Sequence, residues 1–146
     1  MSCIDVTVPP LRAGRPMVLV AAAVLIDNEN RVLLAQRPPG KKMAGLWEFP
    51  GGKVQDNETC EAALVRELDE ELGIQTSTGC LTPLTFASHG YDDFHLLMPV
   101  FACRVWQGTP HGKEGQQLVW ARKQDFNDYP MPPADIALVQ ILWTLI

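Results

Sequence analysis

Residues Gly52 to Ile74 read GKVQDNETCEAALVRELDEELGI, and no other stretch limits the fold as tightly. It is a Gly-rich turn followed by an amphipathic helix. Thr59 stands where an N-cap hydroxyl is wanted, and Gly73 where a helix is stopped by a left-handed residue. Between them Leu64, Val65, Leu68 and Leu72 fall within one apolar arc of about 100°. Glu67, Glu70 and Glu71 share another face, at i, i+3 and i+4 spacing.

Those carboxylates are badly placed for stability. The last turn of a helix carries partial negative charge and favours cations by roughly 0.3–1 kcal/mol each. Here it holds Asp69, Glu70 and Glu71, and like charges at i, i+4 repel further. A solvated acidic face is one reading of such a cluster. A divalent cation that offsets the repulsion is the other, and all-oxygen ligands suit Mg²⁺ or Mn²⁺.

A resemblance to a known family favours the second. The stretch resembles the Nudix signature, G-x5-E-x7-R-E-U-x-E-E-x-G-U with U a bulky aliphatic residue. Gly52, Glu58, Arg66, Glu67, Leu68, Glu70, Glu71, Gly73 and Ile74 occupy its specified positions. The resemblance implies an α/β/α sandwich around a mixed sheet. It also implies a metal-dependent hydrolase that cleaves a nucleoside diphosphate linked to a further group.

The rest of the chain fits that frame. Its 146 residues suit one domain, with residues 1–16 (Pro9, Pro10, Pro16) as a loose leader. A net charge of −5 argues against nucleic-acid binding through a broad basic surface. Cys3, Cys60, Cys80 and Cys103 lack metal-ligand spacing, and His89, His95 and His111 are too sparse for zinc. Cys60 falls in the first helical turn, where a thiol is either activated or buried and inert. Free thiols of this kind suit a reducing cytoplasm. The run Met17 to Ile26, MVLVAAAVLI, could pass for a secretory core but is shorter than the ~20 residues that span a bilayer. Asp27, Asn28 and Asn30 then turn it toward RVLLAQR, so the two runs are expected to form a hairpin.

Further strands are expected at 46–49, 83–88, 94–106 and within QLVWA, with Pro99 marking an edge or bulge. Pro50, Gly51 and Gly52 are expected to turn the chain into the signature helix. Residues 123–133 read as irregular, and Ala134 to Leu145 as a closing helix. An α/β domain of mixed sheet with helices packed on it is the result.

By resemblance Glu67, Glu70 and Glu71 bind metal, with Glu67 first as general base and the Gly51 carbonyl completing the ligands. Arg66 orients a glutamate through charge-assisted hydrogen bonds. Glu58 either supports that junction or caps it.

Beyond the signature the chain resembles the MutT branch, whose members split nucleoside triphosphates into a monophosphate and pyrophosphate. LWEFPGGKV, GKEGQ (112–116) and PPADIALV (132–139) carry this. They imply Glu114 as a further metal ligand or base, and Asp135 at the nucleobase. Each has a plainer reading: a solvated loop carboxylate for Glu114, a helix-dipole partner for Asp135. Arg37 reaches the nucleotide or is a strand-end arginine. Phe49 and Trp47 stack on a base or belong to the core. Lys53 approaches phosphate. Two departures concern the base: Asp135 stands where that branch has asparagine, and Phe94 where it has arginine.

Removal of 8-oxo-dGTP from the nucleotide pool therefore comes first, and hydrolysis of CTP or modified cytidine triphosphates second. A nucleotide sensor that binds without cutting is the reading from another class. The expected partners are a nucleoside triphosphate and Mg²⁺ or Mn²⁺, with neither stable nucleic-acid binding nor membrane attachment. The expected state is a monomer or a weak homodimer.

Overall fold

A computed structural model describes residues 15–146, so the expected leader lies outside it except for Arg15 and Pro16. The strands are β1 (Met17–Leu25), β2 (Val32–Gln36), β3 (Trp47–Glu48), β4 (Gly51–Lys53), β5 (Leu81–Gly90), β6 (His95–Cys103) and β7 (Leu118–Ala121). Two α-helices, α1 (Cys60–Leu72) and α2 (Pro133–Leu145), complete the domain with short 3-10 turns at Thr78–Cys80 and Lys123–Asp128.

A mixed sheet runs in the order β4-β1-β6-β5, in which only β1 and β6 are parallel. A second, antiparallel sheet runs β3-β2-β7. β1 explains the unbroken apolar run that begins the domain. Its Ala21, Ala23 and Leu25 pack with Leu64, Leu68 and Leu72 of α1. Its Ala22 and Val24 pack with Leu138 and Leu142 of α2. A strand covered on both faces has no polar side to alternate with. The α/β/α architecture follows, and among the described residues no helix is long and apolar enough to cross a membrane.

Three local expectations are corrected. The Asp27–Asn30 turn forms, with Asp27 Oδ1 accepting the Glu29 and Arg31 N–H groups at 3.0 and 2.7 Å. The strands it joins do not make a hairpin: they share the single bridge Ile26–Val32 and then part into different sheets. Apolar periodicity reports burial, not the identity of a strand's partner. Gly51 and Gly52 are not the turn either; they lie in β4, opposite Ala22 and Ala21. The turn comes later, where Asn57 adopts a φ of 66° and the Glu58 N–H meets the Gln55 carbonyl. Pro99, finally, sits in β6, an inner strand. The β1–β6 ladder passes from Leu19–Leu97 to Ala22–Val100 around it; on the other side Pro99 pairs with Phe86, and the register shift falls beyond it, where Pro83 and Thr85 of β5 face Phe101 and Val100.

α1 begins and ends as its sequence requires. Thr59 Oγ1 accepts the Ala62 N–H at 3.1 Å, and Gly73 takes a φ of 70°. Its last turn has no basic residue. The loop after β6 answers that defect: His111 and Lys113 donate their backbone N–H groups to the Leu72 and Glu71 carbonyls at 3.0 and 3.1 Å. Lys113 Nζ reaches the Asp69 carbonyl at 3.4 Å, and Gln116 Nε2 the Glu71 carbonyl at 3.0 Å. This docking fixes the 112–116 loop, and with it Glu114, beside the acidic helix end.

Candidate active site

A cleft of about 690 Å³ opens between α1, the start of α2, β4 and the loops after β2 and β6. That volume suits a small-molecule ligand. Gly51, Lys53, Glu67, Glu71 and Glu114 line one end, and Arg37, Phe49 and Asp135 the other. Arg66 and Glu70 are not on its wall, and neither is Trp47, which packs edge-on against Tyr129 with centroids 5.3 Å apart.

Arg66 is the hub of the acidic end. Its guanidinium donates to Glu58 at 2.7 and 3.2 Å, to Glu67 at 2.9 Å, to Glu70 at 3.3 Å and to the Lys53 carbonyl at 3.2 Å. Glu58 in turn accepts the Gln55 N–H at 2.7 Å, so it anchors the turn as well as the arginine. Its bond to Arg66 holds the Glu58 carboxyl below the usual carboxylate range. Glu67 is thereby fixed in orientation, and Gly52 makes room for it: a β-carbon at position 52 would overlap the Glu67 carboxylate. Gly51 is required for a different reason, since a β-carbon there would fall on the Ala21 carbonyl.

Glu71 carries the strain of the site. Burial, and then the charges of Glu67, Glu114 and Glu48, push its carboxyl up to about 8, against the pull of the Gly51 N–H. Carboxylates held together at such a cost suit a cation. Among the described residues, however, no three acidic, His or Cys side chains are gathered tightly enough to hold an ion. Glu70 is 58% exposed and turned to Arg66, so a ligand set that includes it requires that side chain to swing inward.

The far end holds a second buried carboxyl. Asp135 is 6% exposed, and burial together with the nearby Glu48 raises it to about 7. Burial also raises Glu48, which Arg37 opposes from 3.1 Å. Phe49 is 4% exposed and meets Phe126 edge-on at 6.5 Å, so it is core as well as cleft wall. Tyr91 and Phe94 stack at 5.0 Å on the β5–β6 hairpin and line the same end. The Tyr91 hydroxyl accepts the Ala134 N–H at 3.3 Å, one residue before Asp135.

Sequence reasoning missed Glu48, Tyr91 and the lysines Lys41 and Lys42 on the cleft wall. An acid enclosed by Trp47 and Phe49 in a short strand was a usable signal for Glu48. Cys60 takes its inert reading, its thiol pushed up by burial and by Glu61.

The chain is similar to known proteins in sequence and in fold. The model of the NUDIX domain matches residues 21–140. The CTP pyrophosphohydrolase of Escherichia coli (strain K12) is 41% identical over 131 residues, 88% of this chain and 93% of that protein. The 8-oxo-dGTP diphosphatase of Proteus vulgaris is 46% identical over 96 residues, 66% and 84% of the two. A structure of MutT, from work on the Aliivibrio salmonicida and Vibrio cholerae proteins, superposes with a TM-score of 0.74 at 32% identity. It covers 88% of this chain and 98% of that one. With the signature helix folded against a carboxylate-lined cleft, the chain belongs to the Nudix family in its MutT-like branch and is a hydrolase of phosphoric anhydrides.

Proposed function

We propose that the cleft takes a nucleoside triphosphate and releases a nucleoside monophosphate and pyrophosphate, and that 8-oxo-dGTP removal from the nucleotide pool is its role. The observation that carries this reading is the pair of opposed ends: crowded carboxylates beside Arg66 at one, a buried protonatable carboxyl at the other.

Glu67, Glu70, Glu71, Glu114 and the Gly51 carbonyl would hold the cation, for which the high proton affinity of Glu71 is the supporting sign. Mg²⁺ or Mn²⁺ there would neutralise charge on the phosphates and acidify a water beside them. Arg66 keeps Glu67 in one orientation, poised to accept the proton of the water that attacks the β-phosphorus. Lys53 faces the phosphates from β4, and Arg37 braces Glu48 near the base.

Asp135 reads the base. Raised to about 7, it offers both O–H and C=O near neutral pH. A neutral carboxyl pairs with the O6/N1–H edge of an oxidised guanine. It pairs as well with the N3/N4–H edge of cytosine. The acid at 135, and the likeness to a CTP pyrophosphohydrolase over 88% of the chain, favour CTP or modified dCTP as the second reading. Rates with 8-oxo-dGTP, dGTP, CTP, dCTP and 5-methyl-dCTP, ranked by kcat/KM, separate the two. A lead for the cytidines overturns the guanine reading. Loss of metal-dependent turnover is expected in Glu71→Gln, and full activity there would defeat the catalytic assignment.

A further inference from the structure

A polyphosphate has to enter a cleft lined by Glu48, Glu67, Glu71, Glu114 and Asp135, in a chain of net charge −5. Of the lining cations, Lys53 belongs to β4, and Arg37 is committed to Glu48 and to the Lys42 carbonyl, at 3.1 and 2.7 Å. The loop of residues 38–45 carries two more. Its base is closed by the Arg37 N–H on the Leu46 carbonyl at 2.9 Å and the Gly45 N–H on the Arg37 carbonyl at 3.0 Å. Its tip is pinned by Arg37 Nε, so the lysines are presented from a fixed loop.

Those lysines reach to two different loops beside the cleft. Lys41 Nζ lies 3.8 Å from Glu114, on the loop docked against α1. Lys42 Nζ lies 3.6 Å from Asp93, at the tip of the β5–β6 hairpin. All four side chains are at least half exposed, and ion pairs of that kind are worth little. A pair this weak is readily exchanged for a more highly charged partner. Lys41 also lies near enough to Glu48 to join Arg37 in opposing the rise that burial imposes on its carboxyl.

Resting on the proposed triphosphate site, we propose that Lys41 and Lys42 are its polyphosphate-capturing cations, trading Glu114 and Asp93 for the β- and γ-phosphates. The exchange is coupled to the acidic cluster. Glu114 is shared with Lys41 while the two face each other, and its turning toward a bound cation would release Lys41 toward the phosphates. The loop thus makes metal and polyphosphate favour one another through a single carboxylate.

Inorganic tripolyphosphate tests this without a base, by calorimetry on the whole chain in chelator and again with Mg²⁺. Each lysine is expected to contribute about fivefold to affinity, so Lys41→Gln/Lys42→Gln weakens binding by more than tenfold and flattens its salt dependence. Glu114→Gln should tighten metal-free binding, and that gain should vanish in the Lys41→Gln background. An affinity unchanged in the double variant overturns the proposal, as does a Glu114→Gln gain that survives loss of Lys41. A chain that binds tripolyphosphate through these lysines but cuts no nucleotide would keep this assignment and sink the proposed function. Intact hydrolysis with unchanged tripolyphosphate affinity would sink the lysines alone.

Discussion

Gly52→Ala adds one methyl group at the most sensitive point of the acidic end. Gly52 lies in β4 opposite Ala21 with ordinary backbone angles, so alanine does not strain the chain. The new β-carbon would lie 2.5 and 2.7 Å from the two Glu67 carboxylate oxygens, where ordinary contact begins at 3.4 Å. The carboxylate must therefore retreat by about 1 Å and pull against its 2.9 Å bond from Arg66. A misplacement of that size costs catalysis on the order of a hundredfold. Stability changes far less. Overpacking costs about 1–3 kcal/mol, and the entropy lost from the unfolded chain on replacing glycine returns about 0.4–1 kcal/mol. The assay is kcat/KM for the preferred triphosphate beside a thermal melt, with Gly79→Ala as control, since a β-carbon at 79 meets nothing within 4 Å. Wild-type turnover in a folded Gly52→Ala protein would refute the reasoning, because Glu67 would then not be needed where the structure holds it.

The remaining predictions concern charge and capping. Asp135 has a folded pKa of about 7 against an ordinary 3.8, so the unfolded chain releases its proton first as pH rises. The share of stability that Asp135 carries should therefore fall between about pH 4 and pH 7, by up to ~4 kcal/mol; Glu71, also raised, adds a slope of the same sign, so Asp135→Asn should lessen the total slope in urea unfolding without abolishing it. Parallel wild-type and variant profiles would contradict the burial argument. Added Mg²⁺ should stabilise the protein by about 3 kcal/mol at a hundredfold excess over its Kd, and Glu71→Gln should lose most of that gain. Melts indifferent to both Mg²⁺ and Mn²⁺ would count against the cation site. Tyr91→Phe keeps the stack on Phe94 but removes the acceptor for the Ala134 N–H, in a helix whose N-cap Pro132 makes no side-chain bond. It should cost about 1 kcal/mol in chemical denaturation, and no loss would mean that solvent caps α2 equally well.

Local rules wrote α1 into the sequence. Thr59 and Gly73 bound it, Leu64, Leu68 and Leu72 give it a buried face, and Arg66 and the glutamates keep the spacing that the family uses. These features depend on residues a few positions apart, which is the range over which backbone geometry correlates side chains. The strands were also legible as apolar runs, but their partners were not. β1 and β2 part into separate sheets, and Gly51 and Gly52 lie in a strand, because pairing depends on what covers each face.

The candidate site divides along the same line. Its acidic helix end was readable, and so were Glu114 and Asp135 as isolated candidates. Only the tertiary structure decided what surrounds them. It supplies the loop donors that offset an acidic C-terminus, sets Glu48 near enough to raise Asp135, turns Glu70 outward to Arg66, and stretches Lys41 toward Glu114. Burial and charge proximity are properties of three-dimensional neighbours far apart in the chain, and a linear spacing does not encode them.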